Sequence, residues 1–433
     1  TVLRTKQLFR LIIEKAPANN QKELLSVYTH IGVRPRKSLE QRGNKASTTD
    51  GYWVVKKGDI ISNKLLAWMG AIGVSHYEGV TSPAYDVLRP IKSCNTDYYH
   101  FLFRTKKYLQ QFKIRSRGIM DMRLRLYFDQ FGQIPIPVPP RPEQDQIVAY
   151  LRAQDAHIAR FIKAKRDLIK LLTEQKLRII DHAVTRGLDA SVRLKPSGIE
   201  WLGEVPEHWE LRRLKFLASN TTNQTTTKAS DEIYLALEHV QSWTGVARPL
   251  EGEVEFASTV KRFVAADVLF GKLRPYLAKV TRAHRAGVCV SEFLVLRSRK
   301  DLILPAYLEQ LLRCKRVIDL INSSTAGAKM PRADWTFIGN VRLPIPRQDE
   351  QEAILLHILR ETKDLDEAIA RAEEEIKLIR EFRDRLIADV VTGHVDVRGW
   401  QPGPDDVVDD AALAALDDDS GDMTEEEDGD GED

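Results

Sequence analysis

The sequence predicts an α+β protein with a pseudo-two-fold internal repeat. Two mixed α/β globular domains are joined and separated by two long helices that pair as an antiparallel coiled coil. Three observations lead there. The chain reads twice at an offset of 207: Glu143-Gln144-Asp145-Gln146-Ile147 answers Glu350-Gln351-Glu352-Ala353-Ile354, and Val184-Thr185 answers Val391-Thr392. Each copy follows a proline-alternating segment, Ile134-Pro135-Ile136-Pro137-Val138-Pro139-Pro140 in one half and Leu343-Pro344-Ile345-Pro346 in the other. Each copy then opens a long stretch whose apolar residues recur every three and four positions.

The first domain is expected at 1–140, where short β-branched and aromatic runs such as Tyr52-Trp53-Val54-Val55 alternate with turn residues. Its alternating prolines read as an extended edge segment, because proline donates no ladder hydrogen bond. A helix is expected over 141–187, opened by Pro142-Glu143. Its seam runs through Ile158, Ile162, Lys165, Ile169, Leu172, Lys176, Ile179 and Ala183. A linker covers 188–205 and the second domain 206–346. Within it Ala265–Leu273 answers Lys57–Leu65 at offset 208. The second helix, 347–394, places Leu365, Ile369, Ala372, Ile376, Ile379, Arg383, Leu386 and Val390 on its seam. A period this long excludes a solenoid. Packing of each helix on its own domain stays open beside the coiled-coil reading. At ~1.5 Å per residue, 158–183 spans roughly 39 Å, near the ~34–36 Å of one turn of duplex DNA.

Charge separates along the chain. The formal net charge is +3, yet 399–433 holds fifteen acids and no Lys or Arg, so residues 1–398 carry 65 bases against 47 acids, a formal +18. The acidic tail, 395–433, is expected to be disordered and to screen the basic body. No apolar run approaches a membrane span, and the cytoplasm is the expected compartment. Cys94, Cys289 and Cys314 are too scattered for a disulfide framework or a cysteine zinc site. No P-loop, HExxH, GxSxG or aminomethyltransferase Pro-Pro-Tyr/Phe loop is present. Glu375-Ile376-Lys377 lies in a heptad without an upstream acidic partner and reads as a solvated helix face. No catalytic residue and no metal site is therefore expected on this chain.

Basic and polar loops remain. The first domain offers Arg34, Arg36, Lys37, Arg42, Lys45, Lys64, Arg115, Arg117 and Arg123, and the second Lys228, Lys272, Arg274, Tyr276, Lys329 and Arg332. Arg and Lys neutralise phosphates and hydrogen-bond guanine; Asn44, Asn223 and Gln224 suit adenine. The basic loops near 117–123 and 327–332 each lie about a dozen residues before a proline segment.

These features resemble the specificity (S) subunit of type I restriction–modification systems. Ile136-Pro137-Val138-Pro139-Pro140-x-x-Glu143-Gln144 with its heptad helix resembles that family's central conserved region, and Val341–Gln351 the distal copy. Ser197–Trp209 and Asp267–Leu277 are similar to segments that enter, and lie within, its target recognition domains. The resemblance implies two such domains, each reading half of a bipartite double-stranded DNA sequence, on helices that set the spacing. It implies a chain that is not an enzyme and recruits two modification (methyltransferase) subunits and, through them, restriction (endonuclease and translocase) subunits. S-adenosylmethionine, ATP and Mg are then expected on partner subunits and no cofactor here. The first domain lacks a counterpart of Val205-Pro206-Glu207-His208-Trp209 and starts with Thr, so further residues are expected to precede Thr1. The acidic tail departs from the family pattern. The competing readings are a coiled-coil interaction scaffold and a DNA-cleaving or methylating enzyme in its own right.

Overall fold

A computed structural model describes residues 1–433 apart from 30, 39–48, 119–123, 253, 255–257, 326–329, 409–412, 414, 415 and 417–433. The chain forms two compact units, Thr1–Asp167 with Ala372–Asp433, and Leu168–Arg371.

The first unit begins with β1 (Val2–Arg4), β2 (Phe9–Ile12), β3 (Leu25–Tyr28), β4 (Gly32–Pro35) and β5 (Trp53–Val55). It continues with β6 (Ile60–Asn63), β7 (Ile72–Val74), β8 (Gly79–Thr81) and β9 (Tyr85–Pro90). Helices α1 (Thr96–Phe103), α2 (Lys106–Arg115) and α3 (Phe128–Phe131) precede β10 (Pro135–Pro137) and the long α4 (Arg141–Arg186). A four-stranded antiparallel sheet in the order β2-β9-β6-β7 forms the centre. Its face packs on α1, where Phe9 meets Tyr99 edge-on at 5.2 Å and Phe103 meets Phe131 at 5.3 Å. Both long helices contribute to the same core, Ile147, Val148 and Leu151 from α4 and Ile387, Val390 and Val391 from the second.

The second unit repeats this plan. After β11 (Leu194–Pro196) and β12 (Glu204–Pro206) come β13 (Glu210–Arg213), α5 (Leu214–Leu217) and β14 (Ala218–Thr221). Next are β15 (Gln224–Thr225), β16 (Ile233–Leu235), β17 (Val260–Phe263), β18 (Val268–Gly271) and β19 (Val280–Arg282). Strands β20 (Gly287–Cys289) and β21 (Phe293–Ser298), α6 (Pro305–Arg313), α7 (Lys315–Ser323), α8 (Trp335–Ile338), β22 (Arg342–Ile345) and α9 (Gln348–Val391) complete it. Its central sheet, β14-β21-β18-β19, has the strand order of the first, and β13–β22 matches β1–β10. The proline strands pair on one edge only, as missing N–H donors require. The units differ in their outer strands: β15-β17-β20-β16 forms a second four-stranded sheet, where the first unit has separate pairs β3–β4 and β5–β8.

Two buried polar devices recur. Before β6, Asp59 is buried and accepts the forked guanidinium of Arg89 at 2.8 and 2.7 Å, plus the Lys56 N–H at 2.9 Å. Before β18, Asp267 does the same with Arg297 at 2.9 and 2.8 Å and the Val264 N–H at 2.9 Å. At the helix starts, buried Gln144 accepts from Asn95 N–H at 2.8 Å and donates to the Pro139 carbonyl at 2.8 Å. Gln351 accepts from Leu304 N–H at 2.9 Å and donates to the carbonyls of Pro346 and Leu302 at 3.0 Å each.

The long helices run antiparallel inside each unit. In the first, Lys165 pairs with Glu375, and Arg383 holds Asp155 at 2.6 and 2.9 Å. In the second, Lys176 meets Asp366 at 2.5 Å. The basic seam residues thus each find an acid on the opposing helix. Ile158 and Ile162 are buried, while Ile169, Leu172, Ile179, Leu365, Ile369, Ile376, Ile379 and Leu386 are half-buried. The ends pack on the globular domains and the middles on each other, so both sequence readings of the helices hold, in different places. Tyr98 donates to the Val391 carbonyl at 2.9 Å and Tyr307 to that of Val184 at 3.4 Å.

Residues 395–408, placed by the sequence in the acidic tail, pack instead on α4. Trp400 stacks edge-on against Tyr150 at 5.4 Å, Gln146 donates to the Trp400 carbonyl, and Asp406 lies 2.7 Å from His157. Arg160 holds the carbonyls of Asp405 and Val407 at 2.8 and 3.1 Å. The apolar Val397 and Trp400 precede the first tail acids and supply surface to bury.

Replacing Gln351 with Leu strands one buried N–H and two carbonyls and should cost about 2–4 kcal/mol, read by urea unfolding of the full chain; a change under ~0.5 kcal/mol refutes the latch. Arg383→Leu alone leaves the buried Asp155 without its guanidinium partner, with an expected loss of about 3–5 kcal/mol, whereas Asp155→Leu with Arg383→Leu should recover most of it. Equal losses in the single and double variants contradict a paired seam.

Candidate nucleic-acid interface

In the second unit the chain leaves β18 at Gly271, where a Cβ would come within 3.1 Å of Leu237 and 3.2 Å of the Lys279 carbonyl. The next residues, Lys272–Leu277, form a tight projecting turn. Arg274 takes φ +51° and Ala278 φ +47°, left-handed backbone that costs non-glycine residues about 1 kcal/mol or more each. Backbone bonds to the segment before β22 hold the turn: Arg274 N–H to Pro331 at 2.8 Å and Ala333 N–H to Lys272 at 2.9 Å. Leu273 also bridges to Arg332. The two basic stretches of this domain, some 55 residues apart in sequence, are therefore one surface holding Lys272, Arg274, Tyr276 and Arg332. Tyr276 is exposed, and Arg332 is pinned by Glu292 at 3.0 Å. Neither Lys272 nor Arg274 forms an ion pair with a described residue.

The first unit builds the same turn at Lys64–Gly70. Gly70 has φ +105°, occupying the position that Ala278 takes in the second unit. Leu126 N–H bonds the Lys64 carbonyl at 2.8 Å, and Arg117 and Arg125 bridge. Trp68 stands where Tyr276 stands in the repeat, with the Lys113 ammonium 4.6 Å from its ring centroid. The Lys64 ammonium is turned inward, onto the Pro83 carbonyl at 2.7 Å and Asp86 at 3.4 Å. Burial raises the Asp86 carboxyl despite that lysine. Arg104 clamps the turn from behind, donating to the carbonyls of Gly70 at 2.8 Å, Ile72 at 3.1 Å and Thr29 at 2.5 Å. Its counterpart, the buried Arg313, donates to the Thr244 carbonyl at 2.5 Å, and burial lowers its guanidinium.

The other sequence candidates lie as follows. Arg34 and Arg36 are half-buried at the end of β4, Arg34 reaching the Val33 carbonyl at 3.2 Å. Lys37 is exposed and 3.5 Å from Glu23. Arg115 bonds Gln111, and Arg117 pairs with Asp129 at 2.8 Å. Lys228 donates to the Gly252 carbonyl at 2.7 Å. Asn223 and Gln224 are exposed beside β15. Arg42, Asn44, Lys45, Arg123 and Lys329 lie outside the described residues. Trp68, Lys113, Arg104 and Arg313 were missed by motif reading; the first is visible as the offset-208 partner of Tyr276, while the arginines come after α1 and at the end of α6 without a motif.

Chemically, the turn of the second unit offers cations and a ring face to a polyanion. Burial raises the Cys94 thiol to about 11 and Cys289 to about 12, and lowers the His100 imidazole. No cluster of three metal-ligating side chains occurs among the described residues, and none of their helices is long and apolar enough to cross a membrane.

Residues 3–171 match the family described as type I restriction modification DNA specificity domain. The first part of the chain is similar to such a domain. A relative, the type I restriction enzyme EcoDI specificity subunit of Escherichia coli, is 21% identical over 218 residues, which is 50% of this chain and 48% of that protein. The match thus spans about half the length of the curated relative. A chain solved in work on complex assembly and conformational transition of the type I R-M system shares the fold across both units. Its TM-score is 0.57 at 14% identity, covering 91% of this chain and 98% of that one. The HsdS subunit from Thermoanaerobacter tengcongensis aligns with TM-score 0.39 at 14% identity, over 92% and 96% of the two chains.

Proposed function

We propose that this chain is the non-catalytic DNA-sequence-recognition subunit of a type I restriction–modification complex. The observation that carries the reading is the duplication: two domains with one strand order, each with a turn bearing an aromatic residue after its β6-type strand, basic in the second domain. Each domain reads one half of a bipartite duplex target, Lys and Arg on phosphates fixing register and loop side chains meeting base edges. The helices of 46 and 44 residues set the half-site separation and offer their outer faces to two modification subunits. Methyl transfer with S-adenosylmethionine, and ATP- and Mg-dependent translocation and cleavage, belong to modification and restriction subunits. The cytoplasm is the compartment where such a complex meets DNA.

Mapping N6-methyladenine in cells expressing the complex should return one bipartite motif. Deleting one heptad from both helices should shorten its central gap with the half-sites unchanged, and an unaltered gap removes the ruler. Lys272→Gln with Arg274→Gln should weaken duplex binding at least ~10-fold and blur only the half-site read by the second domain. Absence of duplex binding in gel shifts, both alone and with the methylating partner, favours the interaction-scaffold reading.

A further inference from the structure

A two-stranded edge of the second domain carries an unexplained concentration of arginine. On the two-stranded ribbon β13–β22, Arg213 lies directly opposite Arg342. Like charges so placed in an antiparallel pair repel. Among the described residues no acid pairs with either. Arg342 has no ion pair or hydrogen bond with a described side chain, and Arg213 reaches only the neutral Asn340, at 3.4 Å. Arg212, beside them, pairs with Glu210 at 2.7 Å. Together with Leu211 and Phe216 these arginines line an open hollow of about 560 Å³. Phe216 is half exposed, and the Lys215 ammonium lies 5.5 Å from its ring centroid.

We infer that the ribbon β13–β22 holds a phosphodiester-binding site, in which Arg213 and Arg342 straddle a backbone phosphate of bound duplex and Phe216 lines its sugar edge. The inference rests on the DNA-recognition reading and adds to it a contact outside the recognition turns. Guanidinium forks match phosphate oxygens two at a time, so an anion between the two turns their repulsion into shared attraction. The first domain argues against a site for a protein docking alike on both repeats. There the positions of Arg213 and Arg342 are held by Arg4, which donates to the Gln133 side-chain oxygen at 2.8 Å, and by Pro135, so no second cation stands opposite the first. The site belongs to the second domain alone, as an asymmetric DNA contact allows.

The test is fluorescence anisotropy of the full chain on a labelled random-sequence duplex, across a salt series. Arg213→Gln with Arg342→Gln should lower affinity about ten-fold and flatten the slope of log K against log salt by about one, the contribution of one phosphate. Target and non-target duplexes should be affected equally, and Arg213→Lys with Arg342→Lys should restore the slope. Unchanged affinity and slope, with wild-type binding intact, overturns the inference while sparing the DNA-recognition reading. Unchanged DNA binding with loss of a co-purifying subunit overturns it in favour of a protein contact. No duplex binding by the wild-type chain, alone or in its complex, sinks both. Unfolding curves that match the wild type separate a lost contact from a lost fold.

Discussion

A glutamine carboxamide buried at the first turn of each long helix answers several unmet hydrogen bonds together, and each unit is arranged around it. The proline strand ends with a carbonyl turned inward, at Pro139 or Pro346. The segment entering the helical layer presents an N–H with no ladder partner, at Asn95 or Leu304. Left buried and unpaired, each group costs about 1–3 kcal/mol. Glutamine satisfies a donor and an acceptor at one point and carries no charge into the core. Glutamate lacks the donor and leucine lacks both. The long helix therefore leaves the domain from a position fixed by polar bonds, over which Ile147, Leu151 and their counterparts Ile354 and Ile358 pack.

From that anchor the helices carry a mixed seam. Isoleucine and leucine supply burial, yet Lys165, Lys176 and Arg383 interrupt it and meet Glu375, Asp366 and Asp155. Ion pairs of this kind contribute little to stability relative to apolar replacements. Their effect is on register: a slip by one heptad would part all three cations from their present acids. The +18 of residues 1–398 divides in the same way. Lys64, Lys228, Lys261 and Lys279 turn their ammonium groups onto backbone carbonyls, at 2.7, 2.7, 2.8 and 2.6 Å. Arg89, Arg297, Arg104 and Arg313 hold loops together. The cations that face outward are a subset that charge counting does not single out.

The repeat, the proline strands, the helix seams and the basic turn of the second domain were legible because each rests on local sequence with a short-range physical cause. The pairing of Asp59 with Arg89 was not, although its spacing of 30 residues recurs between Asp267 and Arg297. Its cause is a sheet register that no motif encodes. The docking of 395–408 was hidden for a different reason. The acids beyond it dominate the composition, while two apolar residues, Val397 and Trp400, decide the contact. Val184-Thr185 and Val391-Thr392 were readable as a repeat, but their reason appears only where Tyr307 and Tyr98 bond the valine carbonyls.

Setting one domain against its copy separates two kinds of position. Asp59 and Asp267, Gln144 and Gln351, Tyr98 and Tyr307 keep identity across the duplication, and all six are buried. Trp68 and Tyr276, Leu66 and Arg274, Gly70 and Ala278 differ, and they occupy one projecting turn. Ala278 tolerates left-handed backbone that Gly70 adopts freely, because its N–H bonds Pro275 at 2.8 Å inside a packed turn. A change in that turn thus alters the surface offered to a ligand while the latch, the buried carboxylates and the helix docks keep their bonds. Two copies that diverge in this pattern present two different surfaces from one shared set of buried bonds.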